Sequence, residues 1–285
     1  MNKREQKNYT IKYAISDYLK LPERERSLTK IGKKYGIKRQ TLSKYLILQG
    51  YEVVNYQNKA RLNAHIFDVI DTEEKAYWLG FLYADGNLSV MGNRIEVRLS
   101  KKDLPHLNKF REFLQLSNPI RVGKCQDYEF CHLSVRNKHM WNQLYNKGCL
   151  PQKSLILTFP SRDIFLSEDL IYDFIRGYAD GNGCLHLTFK PNTVRTELSI
   201  VSTKLFLEAV RSFLKERGYI ANKTSKNYKN MSFSLKYSDV PSRKIARKLY
   251  ENATVYLDRK YSKYKYFCQL EEQSSRRKST KIGKS

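Results

Sequence analysis

The spacing of apolar residues changes once along the chain, near residue 73. Over residues 1–55 the apolar positions recur at helical spacing in three stretches, "YTIKYAISDYLKL", "SLTKIGKKYG" and "IKRQTLSKYLILQG". Beyond residue 73, helical stretches lead into short segments of strict alternation, such as "RIEVRLS" and "RTELSI". The pattern predicts a small all-α domain over residues 1–55, a linker over residues 56–72, and an α+β region after it.

The all-α domain has the layout of a helix-turn-helix. Its second stretch begins at Ser27, a suitable N-cap, and ends at Gly36, where a tight turn needs a left-handed backbone. The third stretch closes at Gly50. The residues predicted to face inward are Leu28, Ile31, Ile37, Leu42 and Leu46. Residues at the start of the third helix are positioned to reach base edges of DNA, namely Arg39, Gln40, Ser43 and Lys44. A three-helix protein-interaction module is the alternative.

The α+β region is a duplication. "EEKAYWLGFLYADG" opens one pass and "SEDLIYDFIRGYADGNG" opens the other, and each is followed by two strands, a helix, two strands and a helix. Matching residues such as Arg111 and Arg211 lie about a hundred positions apart. We expect two αββαββα repeats, over residues 73–160 and 161–266. The basic tail over residues 267–285 is predicted to be disordered.

Charge narrows the function. The chain has 53 Lys and Arg against 28 Asp and Glu, a formal net charge of +25. Such an excess favours a polyanionic partner, and double-stranded DNA is the best candidate. A membrane partner is not expected, because no apolar run of about 18 residues or signal peptide is present. The five separated cysteines indicate reduced thiols in an intracellular protein, either cytoplasmic or associated with the nucleoid.

The two motif copies, "GFLYADGNL" and "GYADGNGCL", together with the repeated αββαββα order, resemble the LAGLIDADG homing endonucleases in their monomeric, two-motif form. The resemblance covers about residues 66–265. It implies a pseudo-twofold pair of repeats that meet along the motif helices. It also implies saddle-shaped antiparallel sheets over the DNA major groove and an acidic residue at each helix end that holds a divalent metal, expected to be Mg²⁺. The helix-turn-helix resembles the extra DNA-binding modules of phage and intron-associated homing enzymes.

The two motif copies can be aligned in two registers. Closely packed helices need small residues one turn apart on the contacting face. Gly80 with Ala84, and Gly177 with Gly181, supply such pairs if Asp85 is set against Asn182. Aligning the identical letters "ADGN" instead would place Ile175 opposite Gly80 and remove the close contact. We therefore prefer the first register.

The preferred register assigns the candidate metal ligands. Asp85 offers a carboxylate, whereas Asn182 offers an amide oxygen without negative charge. Asp180 is the alternative ligand, although it lies about 200° around an ideal helix from Asn182 and should point away unless the helix end unwinds. The resemblance also implies a basic catalytic residue at the end of each repeat's last strand, which gives Arg136 and Lys236.

The alternating strands predict the recognition surface. In "RIEVRLS" and "CLHLTFK" the polar residues face away from Ile95, Val97 and Leu99, and from Leu185, Leu187 and Phe189, respectively. The candidates for base and phosphate contacts are Arg94, Arg98, His186, Lys190 and Arg195. Lys153 of "LPQKS" and Lys260 of "LDRKY" occur at similar places in the two halves and fit either phosphate contacts or plain surface charges.

These features predict a site-specific, magnesium-dependent DNA endonuclease of the homing type that cuts the two strands at unequal rates. A DNA-binding regulator that kept the fold and lost the chemistry is the alternative, and Asn182 is its main argument. An RNA-binding splicing cofactor is a weaker third hypothesis, because helix-turn-helix geometry suits the grooves of B-form DNA.

Overall fold

The structure is a computed structural model of the chain, and it describes residues 3–22, 25–51, 61–190, 193–220, 225–227 and 232–282. The first part of the predicted linker, residues 56–60, lies outside the described residues, as does the side chain of Lys190. The chain divides into two compact units, residues 1–61 and residues 62–285. None of the helices in the described ranges is long and apolar enough to cross a membrane.

The first unit is a three-helix domain. Ser27 caps its second helix by accepting a hydrogen bond from the Lys30 amide at 3.3 Å, and Gly36 ends that helix with φ of 66°. Ile37 is partly buried, whereas the other predicted inward residues are fully buried against the first helix. The three helices are α1 (Lys3–Lys20), α2 (Leu28–Tyr35) and α3 (Arg39–Leu48).

The second unit contains the two repeats in the predicted order. The first repeat consists of α4 (Glu73–Asp85), β1 (Gly86–Ser89), β2 (Arg94–Ser100), α5 (Leu104–Phe113), β3 (Arg121–Cys125), β4 (Tyr128–Arg136) and α6 (Lys138–Asn146). The second consists of α7 (Asp169–Asn182), β5 (Gly183–Lys190), β6 (Thr193–Ser202), α8 (Lys204–Lys215), β7 (Ser225–Asn227), β8 (Ser232–Ser238) and α9 (Asp239–Tyr250). Each repeat forms one antiparallel sheet, with strand order β1-β2-β4-β3 or β5-β6-β8-β7. The α+β architecture is as predicted.

Helices α4 and α7 pack directly against each other through their glycines. A Cβ on Gly80 would overlap the carbonyl oxygen of Phe174, and a Cβ on Gly177 would overlap that of Tyr77. One constant shift in residue number converts the first contact into the second, so the two helices are related by the pseudo-twofold symmetry. Lower down, Gly181 lies against the methyl group of Ala84. The packing thus has the register that sets Asp85 against Asn182.

The strands bury alternate residues, with one exception. In β2, Ile95, Val97 and Leu99 are buried, as predicted. In β5 the alternation holds at Leu185, but Phe189 is 58% exposed beside the ring of Tyr266. The prediction that Phe189 faces the core is therefore wrong, because the last residues of this strand extend past the core.

The C-terminal segment differs from its prediction. Instead of a disordered tail after residue 266, one helix, α10, spans Asp258–Ile282. Its sequence contains no Gly or Pro, so nothing in it interrupts a helix. The buried rings of Tyr264 and Phe267 anchor its first half on the second repeat. The first half of the helix therefore packs on the core through one face, which carries Lys260, Tyr264 and Phe267.

Candidate active site and nucleic-acid interface

The two interface helices end side by side. Helix α4 ends at Asp85 and α7 ends at Asn182, and each is followed by a glycine in extended conformation that starts a strand. A Cβ on Gly86 would lie 2.5 Å from the Leu82 carbonyl oxygen, and one on Gly183 would lie 2.6 Å from that of Ala179. Glycine is needed at both positions because the chain turns tightly against its own helix.

The carboxylate of Asp85 is half-buried beside the opposite helix. Its Oδ2 lies 3.1 Å from the position of a Cβ on Gly181. Burial raises the pKa of Asp85, while the charges of Lys260, Lys153 and Arg259 oppose that rise. Within the described part of the chain, no group donates a hydrogen bond to this carboxylate. A desolvated carboxylate without a donor is suited to a cation.

Asn182 presents a neutral amide at the matching position. Its side chain is exposed, and its Nδ2 donates a hydrogen bond to the Tyr178 hydroxyl at 3.3 Å. That hydroxyl in turn donates to Ser202 Oγ at 2.7 Å. The contact holds the amide nitrogen and leaves the Asn182 Oδ1 to accept from, or coordinate, another group.

Asp180 is in the last turn of α7, and its side chain is buried in the core. It is fully buried, and three donors contact its carboxylate: Tyr250 at 2.6 Å, and Tyr77 and the Leu257 amide at 2.7 Å each. Burial raises its pKa, and these three hydrogen bonds partly offset the rise. The structure does not support Asp180 as a metal ligand, because both of its oxygens already serve the packing of α9 and α10 onto the motif helices.

Two lysines contact the helix ends. Lys153 donates to the Gly86 carbonyl, and Lys260 donates to the Gly183 carbonyl and, at 2.8 Å, to the Ala179 carbonyl. Burial lowers the pKa of both amines, that of Lys260 to about 8, although Asp85 counters the shift. The sequence leaves these lysines undecided between phosphate contact and surface charge. The structure shows that they are not plain surface charges.

A third cation near Asp85 was not predicted. Arg259 adjoins Lys260 in α10, and its Nε donates to both oxygens of Asp103, at 3.1 and 3.3 Å. Its charge lowers the pKa of Asp85, whereas that of Asp103 raises it. The sequence contains one signal for this arginine. When "LPQKS" and "LDRKY" are aligned on their lysines, Arg259 takes the position that Gln152 has in the first repeat.

Comparison with known proteins identifies the fold. No protein-family profile matches the chain, and no curated protein sequence does. Among solved structures, meganuclease I-SmaMI bound to uncleaveable DNA has a TM-score of 0.50 at 12% identity, covering 70% of this chain and 90% of that one. The chain has the LAGLIDADG homing endonuclease fold.

Two further solved structures match the chain with lower TM-scores. The I-SmaMI LAGLIDADG homing endonuclease bound to cleaved DNA has a TM-score of 0.47 at 12% identity, over 70% of this chain and 90% of that one. LAGLIDADG meganuclease I-AabMI bound to uncleaved DNA has 0.46 at 10% identity, over 70% and 91%.

In this LAGLIDADG fold, strand register corrects the prediction for Arg136 and Lys236. Leu133 is level with Gly86 across the first sheet, and Leu235 is level with Gly183 across the second. Lys236 follows Leu235 as Ser134 follows Leu133, so Lys236 and Ser134 occupy equivalent positions in the two repeats. Arg136 lies three residues beyond Leu133, which is about 10 Å farther along the strand. The cations with the largest effect on the pKa of Asp85 are instead Lys260, Lys153 and Arg259.

Arg136 belongs instead to the polar face of the LAGLIDADG sheet. It is paired with Arg94 at the end of the strand and lies beside Gly92 of the β1–β2 turn. On the same face, Glu96 forms ion-pair contacts with Arg94 Nε at 3.2 Å and with His132 Nε2 at 3.3 Å. Arg98, also on this face, stacks over the ring of Phe130 at 3.6 Å.

The second sheet of the LAGLIDADG fold has a matching polar face. Cross-strand pairing places Thr188 level with Arg195, and His186 level with Glu197. Lys236 lies on this face and donates to Glu197 at 2.9 Å. His186 and Arg195 are exposed, as their predicted role requires.

The helix-turn-helix unit presents the predicted residues on its outer side. Arg39, Gln40 and Lys44 are exposed and Ser43 is half-buried, opposite the buried Leu42 and Leu46. The four polar residues line one shallow surface depression together with the exposed Ile47 and Leu48.

Proposed function

We propose that the protein is a site-specific DNA endonuclease of the homing type, which hydrolyses phosphodiester bonds in double-stranded DNA with a divalent metal. The observation that carries the proposal is the Asp85 carboxylate. It is partly desolvated and lacks a donor among the described residues. It lies at the end of a LAGLIDADG motif helix, where the charges of the half-buried Lys153 and the buried Lys260 act on it. The DNA-bound structures of I-SmaMI and the net charge of +25 support DNA as the partner.

The donors at the helix ends fit magnesium. Mg²⁺ takes one or two protein carboxylates and fills its other positions with water and phosphate oxygens. Asp85 would supply the carboxylate, and Asn182 would supply an amide oxygen. When bound, the metal neutralises charge on the scissile phosphate and makes water more acidic. Asn182 adds no negative charge, so its half of the site attracts a dication less strongly.

Lys153 and Lys260 have the geometry to stabilise the reacting phosphate. Each ammonium is held in place by a main-chain carbonyl of a helix end, so it needs little reorganisation when charge develops nearby. The same contacts place the positive charges at the negative ends of the α4 and α7 dipoles. We assign these two lysines to electrostatic stabilisation, and Arg259 to positioning through its pair with Asp103.

The polar faces of the two sheets supply the DNA-binding surface in this proposal. Arginine side chains on this surface can contact phosphates or the guanine edge in the major groove. The residues assigned to it are Arg94, Arg98, Arg136, His186, Lys190, Arg195 and Lys236. The helix-turn-helix adds a second contact through Arg39, Gln40, Ser43 and Lys44. The start of α3 suits this role because its exposed residues are polar. The exposed apolar residues of α3, Ile47 and Leu48, lie at the C-terminal end of this helix.

The test is a cleavage assay on a duplex in which the two DNA sequences that flank the gene are joined directly, with the gene itself removed. We expect magnesium-dependent breaks at one position, none in EDTA, and none with Asp85→Asn at equal DNA occupancy. Gel shift of the same duplex measures that occupancy. Tight, site-specific binding without a nick in any divalent metal would contradict the endonuclease and support the second candidate.

That second candidate is a DNA-binding regulator without cleavage activity. One observation favours it: Asn182 is neutral and its amide is engaged by Tyr178. The Asp85 carboxylate argues against it, because a regulator has no need for a half-buried carboxylate that lacks a hydrogen-bond donor.

A further inference from the structure

Three side chains form a cluster apart from the helix ends. His65 Nδ1 lies 2.7 Å from Asp68 Oδ2, and His139 Nε2 lies 2.6 Å from Asp68 Oδ1. The two imidazole rings are 4.3 Å apart between centroids. His65 and Asp68 belong to the segment just before α4, and His139 lies in the first turn of α6. Neither the motif helices nor the polar sheet faces contribute to the cluster.

The cluster has the composition and spacing of a transition-metal site. One ligand atom from each residue lies within 4.8 Å of the other two. Two imidazole nitrogens and a carboxylate oxygen suit Zn²⁺, which binds nitrogen at about 2.0–2.1 Å and oxygen at about 2.0–2.2 Å. Two ligands on one such ion are at most about 4.2 Å apart, so only a small closure is needed.

We propose that His65, Asp68 and His139 bind Zn²⁺ at a second metal site, with water completing the coordination. A neutral imidazole can carry its proton on the outer nitrogen, which leaves the lone pair of the inner nitrogen for the metal. No net proton loss is then required. Mg²⁺ is disfavoured here, because this cation prefers oxygen ligands and retains its waters.

The role that follows is structural. The segment from residue 62 onward is anchored by the buried Phe67 and Ile70, whereas His65 is on its exposed side. A metal held by His65, Asp68 and His139 would cross-link this segment to α6. Because it would bind only the folded arrangement, it stabilises the unit by an amount that grows with the logarithm of its affinity. The ammonium of Lys147, 3.0 Å from the Asp68 carbonyl oxygen, limits that affinity by repulsion.

The experiment uses the metal-stripped full chain, without DNA, titrated with ZnCl₂ in a calorimeter and melted with and without one equivalent of Zn²⁺. We expect one site and a higher melting temperature with Zn²⁺, but not with the same concentration of MgCl₂. His65→Ala, His139→Ala and Asp68→Asn should each weaken zinc binding by at least about tenfold, since even outer-shell changes cost that much. Asp71→Asn is the matched control, because Asp71 is in the same segment but pairs with Lys75 at 2.7 Å.

Two outcomes would overturn the proposal. One is zinc binding that is unchanged in all three cluster variants. The other is binding that disappears in Cys184→Ser, which would assign the metal to an exposed thiol. Cobalt spectra of the wild type separate these cases, because thiolate ligation adds a charge-transfer band that nitrogen and oxygen ligands lack. Circular dichroism of each variant shows that loss of binding is not loss of fold. Asp68→Asn keeps the size and shape of the side chain and one of the two acceptor oxygens, and its amide nitrogen can donate to the other imidazole.

Discussion

The two repeats share a backbone but distribute their polar groups differently. Helix α7 buries Arg176 and Asp180 at positions where α4 has Leu79 and Tyr83. The Arg176 guanidinium donates to Glu73 at 2.6 Å and to the Val255 and Leu249 carbonyls at 3.1 and 2.9 Å. In the second repeat, buried charge therefore holds together α4, α7 and the segment that leads to α10.

In the first repeat the buried charge is at the helix end instead. Asp85 has no donor among the described residues, whereas the matching Asn182 is exposed and bonded to Tyr178. Gly80 and Gly177, by contrast, are equivalent glycines in the two helices, because each lies against the backbone of the opposite helix. The comparison teaches that packing constraints are mutual and stay symmetric, while polar chemistry can diverge between the halves.

The largest effect is expected from Asp85→Asn. This change makes the two helix ends chemically alike and removes the carboxylate that is proposed to hold the metal there. We expect cleavage of both strands to fall by about 10²–10³-fold or more, by analogy with the loss of other preorganised charge-stabilising groups. DNA affinity in calcium, measured by gel shift, should change less than about threefold, below the 1.4 kcal/mol that corresponds to tenfold. Cleavage at the wild-type rate would remove Asp85 from the mechanism.

Leucine at either interface glycine should produce the next largest effect. The clash at Gly80 and the clash at Gly177 both involve the opposite backbone, which cannot rotate away. Gly80→Leu and Gly177→Leu should each lower the free energy of unfolding by at least about 3 kcal/mol. Gly218→Ala is the control, since open space surrounds Gly218 and only its φ of 81° is strained, which costs about 1 kcal/mol. Thermal melts in which one leucine variant matches the control would break the symmetry of the interface.

Part of this picture can be predicted from the sequence. The register of the motif helices follows from Gly80 and Gly177, because only a small residue fits a backbone contact, whatever surrounds it. The order of elements follows from the change between helical and strand spacing. Both properties are local, or depend on two helices only.

The basic residues show where the sequence is insufficient. Arg136 and Lys236 both stand near a strand end, but cross-strand pairing decides which of them is level with the helix end. A shift of two residues leaves the alternation of faces unchanged, so the sequence pattern does not reveal it. Lys153 and Lys260 follow the last helix of their repeats, and only the tertiary fold brings them under the helix ends. Whether a lysine is buried depends on those distant contacts.

Asp180 tests the second repeat in this comparison. Its buried carboxylate stabilises the fold, whereas that of Asp85 is proposed to take part in cleavage. Asp180→Ala removes the acceptor of three buried donors, of which only the Tyr77 hydroxyl has a second contact among the described residues, to His106 Nε2 at 3.2 Å. Each donor left unpaired costs about 1–3 kcal/mol, so a loss of about 3 kcal/mol in unfolding free energy is expected. Asp180→Asn should cost much less, since its oxygen serves Tyr77 and the Leu257 amide while its nitrogen donates to Tyr250. Neither variant should change the cleavage rate of the folded fraction.

The pH dependence has a definite sign. Because the pKa of Asp180 is raised on folding, the folded state binds its proton more tightly than the unfolded state. Its contribution to stability is greatest below the unfolded pKa of about 3.9 and declines as pH rises through the folded pKa. The stability of the wild type relative to Asp180→Asn should therefore fall as pH rises from the acid side, as urea titrations would show. A rise over that range would contradict a desolvated carboxylate.

The smallest effect is expected at Asn182, where the comparison can be reversed. If the helix end at Asn182 binds the metal more weakly, the strand at that end is cleaved more slowly. Nicked duplex then accumulates before the double-strand break. Asn182→Asp gives both ends a carboxylate and should raise the slow rate severalfold, within the tenfold that about 1.4 kcal/mol represents. The measurement is a time course on duplex labelled separately on each strand, with the other strand as the internal reference. Asn182→Ala is the matched control, because it removes the amide oxygen and should slow the same strand further. Equal rates on both strands in the wild type would mean that the charge difference between Asp85 and Asn182 has no effect on the rate of cleavage.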